Sequence, residues 1–407
     1  MAEISKSKEY AAFRNSVALK TVVGETVEGE DKAWRLYDYG PRSVASPLIF
    51  FPPASGTADV YFNQIASLGS QGYRVIAVEY PPYWTHTNWA EGFRKLLDAM
   101  GLNKVHLFGA SLGAFLAQKF AEYMYKTERV QSLFLCNGFP DTSVFTDMPY
   151  AGTYWMIPAF LLRRLLLSNF PEASVEPRIA DSIDFMVERL ESLKQAELAS
   201  RLTLNCLEAY VEPQKLSRVP VTIMDVFDEC AISNRVKEDL YKCYPHAKLA
   251  QLKSGGNFPY LSRPEEVTMY IQVHLRQFTG TDVDPCANTL VQTLNNAAAA
   301  AAATSSSSSS KKNGSSADLP ATTTTTTDTT TTTDSSSSSG SSSSSASQSS
   351  SRSSAKGKPT TAASAAPAIT APKPALKGKA KASAAEILFR DDEIVDVNSS
   401  SSSSILI

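Results

Sequence analysis

Residues 104–120, Lys-Val-His-Leu-Phe-Gly-Ala-Ser-Leu-Gly-Ala-Phe-Leu-Ala-Gln-Lys-Phe, decide the fold of this chain. An apolar run before Gly109 predicts a strand, and the residues after Gly113 have the spacing of a helix. Glycines are needed at these two positions because so sharp a turn leaves no room for side chains. The arrangement is typical of a nucleophile elbow, with Ser111 as the candidate nucleophile and the Leu112 N–H at the start of the helix.

The rest of the chain alternates between apolar runs and helical patterns. Residues 47–51 are a continuous apolar run, which predicts a strand buried on both faces, and residues 73–80, 130–136 and 219–224 predict further strands. With helical patterns between them, they predict an α/β fold with a mostly parallel sheet flanked by helices. Residues 17–23 and 34–39 predict an edge hairpin, and residues 1–15 a polar lead-in.

The alternation stops between residues 138 and about 217, where only helical patterns remain, the clearest at 178–198. We expect this insertion to form a helical cap over the C-terminal edge of the sheet, where such folds bind ligands. Residues 154–167 are apolar but contain a proline and two adjacent arginines. This composition favours a lid helix over a membrane span or an interfacial membrane anchor.

Composition divides the chain into two parts. Large apolar residues nearly vanish after Asn295, where long runs of Ser, Thr and Ala dominate. Such runs bury too little apolar surface to offset the entropy of ordering. We therefore predict an α/β-hydrolase-like domain over residues 1–290 and a low-complexity, disordered tail over residues 291–407.

The charge and the cysteines indicate the compartment and exclude some partners. A net charge of −2 gives no reason to expect nucleic acid as a partner. The five cysteines have no CxxC spacing, and residues 1–5 do not resemble the start of a signal peptide. These features predict a reduced, cytoplasmic protein without a metal site, and no cofactor is expected.

A catalytic serine needs a base that takes its proton and an acid that orients the base. With this elbow, the acid is expected after the strand at 219–224, where Asp225-Val-Phe-Asp-Glu229 lies. Asp228 is the preferred acid and Glu229 the second candidate. Asp225 is expected to belong to the strand.

The position of the base holds a different residue. In α/β-hydrolases the loop before the last helix typically carries Gly-His, whereas here residues 254–257 read Ser-Gly-Gly-Asn. The amide of Asn257 can bond to a serine hydroxyl but cannot accept its proton near neutral pH. Loss of the histidine lowers turnover by about 10⁶-fold in a protease, so the sequence argues against ordinary serine hydrolysis.

Among the four histidines, only His86 is predicted to lie on a loop at the C-terminal edge of the sheet. His106 belongs to the elbow strand, His246 precedes a strand at the opposite edge, and His274 lies within the final helix. His86 is therefore the alternative base, although a histidine that merely contacts the cap is the simpler interpretation.

The oxyanion loop also departs from the usual pattern. In hydrolases the loop after residue 51 often carries His-Gly and donates a backbone N–H. Here residues 52–56 read Pro-Pro-Ala-Ser-Gly, and Pro53 has no N–H to donate. We predict an acyl-shaped pocket with part of its donor set, formed by Ala54, Ser55, Gly56 and Leu112.

Several long segments resemble the maspardin family of α/β-hydrolase-fold proteins. The segments are 47–60, 92–123, 182–206, 219–233 and 255–260, and the resemblance covers most of residues 1–280. It implies a cytosolic protein that also associates with endosomal and trans-Golgi membranes, without an established hydrolase activity. It also implies protein partners, namely the cytoplasmic tail of a T-cell co-receptor or a relative of aldehyde dehydrogenases. The Ser/Thr-rich tail is a departure from the family.

These observations lead to three hypotheses about function. The first is a non-catalytic binding or adaptor protein in endosomal trafficking or receptor signalling, with its contact surface at residues 154–167 and in the pocket beneath them. The second is a serine hydrolase that uses Ser111, Asp228 and His86 on an acyl ester. The third is a pocket that senses a small ligand without chemistry.

Overall fold

The computed structural model describes residues 3–27, 30–145, 152–167 and 175–287. The predicted disordered tail at 291–407 lies outside these ranges. The domain boundary at residue 290 stays a prediction.

In the described ranges, eight strands form one sheet. They are β1 (Leu19–Val27), β2 (Glu30–Tyr39), β3 (Leu48–Phe51), β4 (Val75–Glu79), β5 (Val105–Ala110), β6 (Val130–Cys136), β7 (Val221–Val226) and β8 (Lys248–Leu252). Their order is β1-β2-β4-β3-β5-β6-β7-β8, in which β2 is antiparallel to β1 and β4 and all other pairs are parallel. The predicted edge hairpin and mostly parallel sheet are confirmed.

Helices cover both faces of the sheet. They are α1 (Glu3–Lys6), α2 (Lys8–Ser16), α3 (Phe62–Ser70), α4 (His86–Ala99), α5 (Leu112–Tyr123), α6 (Ala159–Leu167), α7 (Pro177–Ser192), α8 (Gln195–Cys206), α9 (Asn234–Cys243), α10 (Pro259–Ser262) and α11 (Pro264–Leu275). Every residue of β3, β4 and β5 is buried, as the continuous apolar run at residues 47–51 predicts for β3.

The N-terminal residues are not the predicted polar lead-in. They form α1 and α2, and the side chain of Ser7 caps α2 by accepting a hydrogen bond from the Tyr10 N–H at 3.1 Å. Tyr10 and Phe13 are buried. The prediction was wrong because two aromatic residues three apart, among charged neighbours, make an apolar stripe too narrow to stand out in the sequence.

Helices α6, α7 and α8 lie between β6 and β7, in the region predicted as a cap. The helix predicted over 178–198 is in fact two helices, α7 and α8. The chain is extended at Leu193 and Lys194, and Glu197 accepts a hydrogen bond from the Lys194 N–H at 2.9 Å to start α8. Within the described ranges, no helix is both long enough and apolar enough to cross a membrane.

Three main-chain segments meet at the start of α5. A Cβ atom at Gly113 would lie 2.3 Å from the Phe51 carbonyl oxygen, and a Cβ atom at Gly109 would lie 2.2 Å from the Gly113 carbonyl oxygen. Both distances are far below van der Waals contact. The two glycines are therefore required so that β3, β5 and α5 can approach each other, as the elbow motif predicts.

A methyl group at this contact has a strong predicted effect. We expect Gly113→Ala to lower the free energy of unfolding by about 2 kcal/mol or more, because main-chain atoms must move apart. Gly152→Ala is the control, since a Cβ atom there meets no atom of the described chain within 4 Å. Urea denaturation measures both variants, and equal stabilities would show that position 113 does not require glycine.

A buried row of hydrogen-bonded side chains lies near the N-terminal ends of the parallel strands. His106 bonds through Nδ1 to Ser132 Oγ and through Nε2 to the Val283 carbonyl oxygen. His274 bonds through Nε2 to Ser132 Oγ and through Nδ1 to Thr222 Oγ1, and all four distances are 2.8 Å. Burial lowers the pKa of His106 to about 4 and that of His274 to about 3, so both rings are neutral in the folded protein.

These two buried, neutral histidines predict that the folded protein loses stability in acid. As the pH falls, histidines of the unfolded protein bind protons near pH 6.5, whereas the two folded ones do so only at a much lower pH. The free energy of unfolding therefore falls as the pH drops from about 6.5 to about 4. We expect His274→Gln to reduce this slope by up to about 1.4 kcal/mol per pH unit. Exposed His246 gives the control, His246→Gln. Equal slopes in denaturation series for the two variants would contradict the assignment.

Candidate functional site

The serine of the elbow has a strained backbone. Ser111 has φ 50° and ψ −117°, a conformation that non-glycine residues rarely adopt. Its N–H donates to the Cys136 carbonyl oxygen at 3.0 Å, and its own carbonyl accepts from Ala114 and Phe115 at the start of α5. Only 7% of the Ser111 surface is exposed. The structure thus has the strand, turn and helix of an elbow, with Leu112 as the first residue of the helix.

The preferred acid lies directly beyond the end of β7. Asp228 Oδ2 accepts hydrogen bonds from the Gly255 N–H at 2.8 Å and the Gly256 N–H at 3.0 Å. Asp225 belongs to β7, as expected, and its carboxylate accepts a hydrogen bond from the Tyr241 hydroxyl. Asp228 is thus the acid that reaches the loop of the predicted base, but it binds the main chain of that loop.

The residue at the position of the base is held by the acid loop. Asn257 Oδ1 accepts a hydrogen bond from the Ala231 N–H at 2.7 Å. Since Oδ1 is the acceptor of the amide, this bond fixes which way the side chain points. The amide of Asn257 and the carboxylate of Asp228 therefore both join the two loops through main-chain N–H groups. The second acid candidate, Glu229, is exposed to solvent.

Asn137 links these loops to the elbow, and the sequence analysis missed it. It follows Cys136, which pairs with the elbow strand, and it has φ 45°. Its Nδ2 donates to the carbonyl oxygens of Gly256 at 3.2 Å and Asn257 at 3.3 Å. Asn tolerates positive φ better than most residues, so Asn-Gly directly after a buried strand was the signal for this position. The three loops thus meet at one edge of the sheet.

The oxyanion loop is held from the cap by a buried cation. Gly56 N–H donates to the Pro53 carbonyl oxygen at 3.1 Å, which closes a tight turn around Ala54 and Ser55. Arg201 of α8, 1% exposed, donates through Nη1 to the carbonyl oxygens of Ala54, at 3.1 Å, and Gly56. Its guanidinium also lies 5.2 Å from the centre of the Tyr80 ring. An arginine in a helical pattern gave no sign of this role.

Two further polar side chains near this loop are buried. Asn205 follows Arg201 by one helical turn and therefore lies on the same face of α8. Neither polar atom of its side chain, nor Ser55 Oγ, has a hydrogen-bond partner within the described part of the chain. Buried polar groups are normally paired, so these atoms could bond to a polar group of a bound molecule.

Helix α7 covers the site from the solvent side. A Cβ atom at Gly56 would lie 3.2 Å from Met186 Cε, and one at Gly256 would lie 3.0 Å from Ile179 Cγ2. One helix therefore packs against both the oxyanion loop and the loop of the predicted base. Because it lies over both loops, we call α7 the lid helix.

The alternative base is not on a loop, contrary to prediction. His86 is the first residue of α4, where Thr85 caps the helix. Its Nε2 donates to the Leu204 carbonyl oxygen of α8 at 2.7 Å, and its ring packs edge-on against Phe115 at 5.3 Å. Burial lowers the pKa of His86 to about 4. The ring therefore contacts the cap, which is the simpler of the two interpretations considered from the sequence.

Comparisons with known structures identify the fold. Residues 46–225 match the α/β hydrolase fold family. The chain is similar to a carboxylesterase from Nitrososphaera gargenis, with a TM-score of 0.54 and 17% identity over 64% of this chain and 99% of the other. It is also similar to the enol-lactonase of Burkholderia xenovorans LB400, with a TM-score of 0.52 and 15% identity over 63% and 100%. At these identities the likeness concerns the fold alone.

Sequence comparison identifies the family. The chain is 58% identical to Homo sapiens maspardin over 288 residues, which are 70% of this chain and 93% of that protein. It is 56% identical to Danio rerio maspardin over 281 residues, which are 69% of this chain and 90% of that protein. The chain therefore belongs to the maspardin family, within the α/β-hydrolase fold.

Proposed function

We propose that this protein is a non-catalytic α/β-hydrolase-fold protein that works as a binding or adaptor module in endosomal and trans-Golgi trafficking or receptor signalling. One observation carries the proposal. Asn257 stands at the position of the catalytic base, and its amide oxygen is bonded to the Ala231 N–H. The nucleophile elbow is present, but the group that would take the proton from Ser111 is absent from this position.

The chemistry of the neighbouring groups supports this conclusion. In a working triad the acid orients the histidine, whereas here the Asp228 carboxylate holds the Gly255 and Gly256 N–H groups. An amide has no usable basicity near neutral pH. A serine without a base keeps the ordinary weak nucleophilicity of an alcohol. The polar groups around Ser111 are thus arranged to shape a pocket.

The outer surface of the cap supports a role in binding. Trp155 and Met156 are each 59% exposed, and Phe160 is 66% exposed. Beside them lies a groove of about 570 Å³, lined by Trp84, Gly152, Trp155, Thr203 and Leu207. Clustered exposed aromatic and methionine side chains are typical of protein interaction surfaces. This surface coincides with the segment, 154–167, that the sequence suggested for partner contact.

The proposed partners and location come from the family resemblance described for the sequence. We expect a cytoplasmic protein with peripheral association with endosomal and trans-Golgi membranes. The partner classes are the cytoplasmic tail of a receptor and a protein related to aldehyde dehydrogenases. We do not include nucleic acid, because the chain carries a net charge of −2.

The alternative function is serine ester hydrolysis by Ser111 with Asp228 and His86. The strained φ of 50° at Ser111 favours it, because such strain is typical of catalytic serines. Against it, the Nε2 of His86 donates its hydrogen to a carbonyl oxygen of α8. The two functions are separated by the reactivity of Ser111.

Restoring the base provides the first test. We expect a fluorophosphonate probe to label Ser111 in Asn257→His at least about 10²-fold faster than in the unchanged protein, because a positioned base contributes at least this much. Labelling is followed by intact-protein mass spectrometry. Asn257→His combined with Ser111→Ala is the control and should not react.

One outcome would contradict the non-catalytic proposal, and another would contradict the narrower claim that only the base is missing. Rapid labelling of the unchanged protein that disappears in Ser111→Ala would support the hydrolase, and His86→Ala would then identify its base. A folded Asn257→His variant without any gain would show that more than the base is missing.

The cap surface provides the second test. We expect Trp155→Ser with Phe160→Ser to weaken binding of a receptor-tail peptide or of a purified aldehyde dehydrogenase relative by about 30-fold or more, because exposed aromatic anchors dominate interface energies. Calorimetry measures the affinity. Met269→Ser, at an exposed apolar residue of α11, is the matched control. Equal affinities of the two variants would exclude this surface as the contact.

A further inference from the structure

The N-terminal helices contact the lid of the site. The Tyr10 ring of α2 packs edge-on against Phe62 of α3 and against Phe185 of α7, with 5.2 Å between ring centres in both pairs. Tyr10 is buried by these contacts. One aromatic side chain therefore lies between the body of the domain and the lid helix.

The polar end of Tyr10 completes a three-way junction. Its hydroxyl donates to Asp59 Oδ2 at 2.6 Å, and Arg189 of α7 donates through Nη1 to the same oxygen at 2.9 Å. Arg189 also donates to the Tyr10 hydroxyl oxygen at 3.0 Å, and its guanidinium lies 4.9 Å from the Phe185 ring centre. Asp59, which is buried, belongs to the segment that follows the oxyanion loop. The junction thus joins α2, α7 and the loop region of the site.

A second contact reinforces the first. Ser5 of α1 donates a hydrogen bond to Glu188 of α7, which precedes Arg189. The other end of α7 is attached to the body through an ion pair between Glu176 and Arg263. The N-terminal helices therefore hold one end of the lid, and Arg263 holds the other.

We propose that residues 3–16 form an N-terminal latch that keeps α7 closed over the site around Ser111. Release of the latch frees the end of α7 that carries Met186, which packs over Gly56 in the closed lid. Access to the pocket is then controlled by a segment that lies outside the sheet and the cap. This inference rests on the proposed function, because it assigns a regulatory element to the pocket that the binding module retains.

Hydrogen exchange of the full chain tests the latch. Tyr10→Phe keeps the ring and removes only the hydroxyl that binds Asp59. We expect amide exchange in α7 to become about tenfold faster or more, because a buried hydrogen bond to a charged group is lost. Exchange in β5 and β6 should not change. Mass spectrometry of peptides from α7 and from the two strands provides the measurement.

Matched variants separate the latch from a general loss of stability. Tyr123→Phe also removes a tyrosine-to-carboxylate bond of 2.6 Å, here an exposed one to Glu91 on the far side of the sheet, and it should leave α7 unchanged. Ser5→Ala removes the weaker contact and should accelerate exchange in α7 by a smaller factor. Unchanged exchange of α7 in Tyr10→Phe would overturn the proposal, as would an equal acceleration in α7 and in the strands. Amide exchange in α7 measures only how firmly the lid helix is held. A negative result would therefore reject the latch without bearing on the reactivity of Ser111 or on partner binding.

Discussion

Glycine is required at position 113 because main-chain segments of β3, β5 and α5 approach each other there. The carbonyl of Phe51, at the end of β3, occupies the space that a side chain at this position would need. The turn into α5 at this contact is sharp, and Ser111 takes up a positive φ there. The loops after β3, β6 and β7 are then brought to one edge of the sheet. The geometry of a hydrolase site therefore follows from backbone packing, whether or not the site performs chemistry.

The polar side chains at this edge show what the chain does with that geometry. In a working triad the acid and the base bind each other. Here Asp228 and Asn257 each bind a main-chain N–H group of the other's loop. Arg201 binds carbonyl oxygens of the oxyanion loop in the same way. These side-chain bonds hold the loops at this edge in one arrangement.

The fold could be predicted to a large extent because its signals are local. The apolar runs and the elbow around Ser111 predicted the central strands and the start of α5, and the spacing before the last helix singled out Asn257 as the residue at the predicted position of the base. Side-chain roles that depend on distant partners could not be predicted. Arg201 contacts a loop about 145 residues earlier in the chain, and Tyr10 contacts a helix that begins at residue 177. Neither spacing nor composition carries such information, because it arises only when the elements pack.

In the buried row of hydrogen bonds that contains His106 and His274, the donor and the acceptor of each bond are fixed. The Val283 carbonyl can only accept, so His106 must carry its hydrogen on Nε2 and leave Nδ1 as the acceptor for the Ser132 hydroxyl. The Ser132 oxygen then accepts from Nε2 of His274, whose Nδ1 accepts from Thr222. Both rings are thereby placed in the same tautomer by a single oxygen atom beyond the last helix. The segment around Val283 thus fixes the direction in which the hydrogen bonds of this row are donated, and detaching it would remove an acceptor that sets this direction.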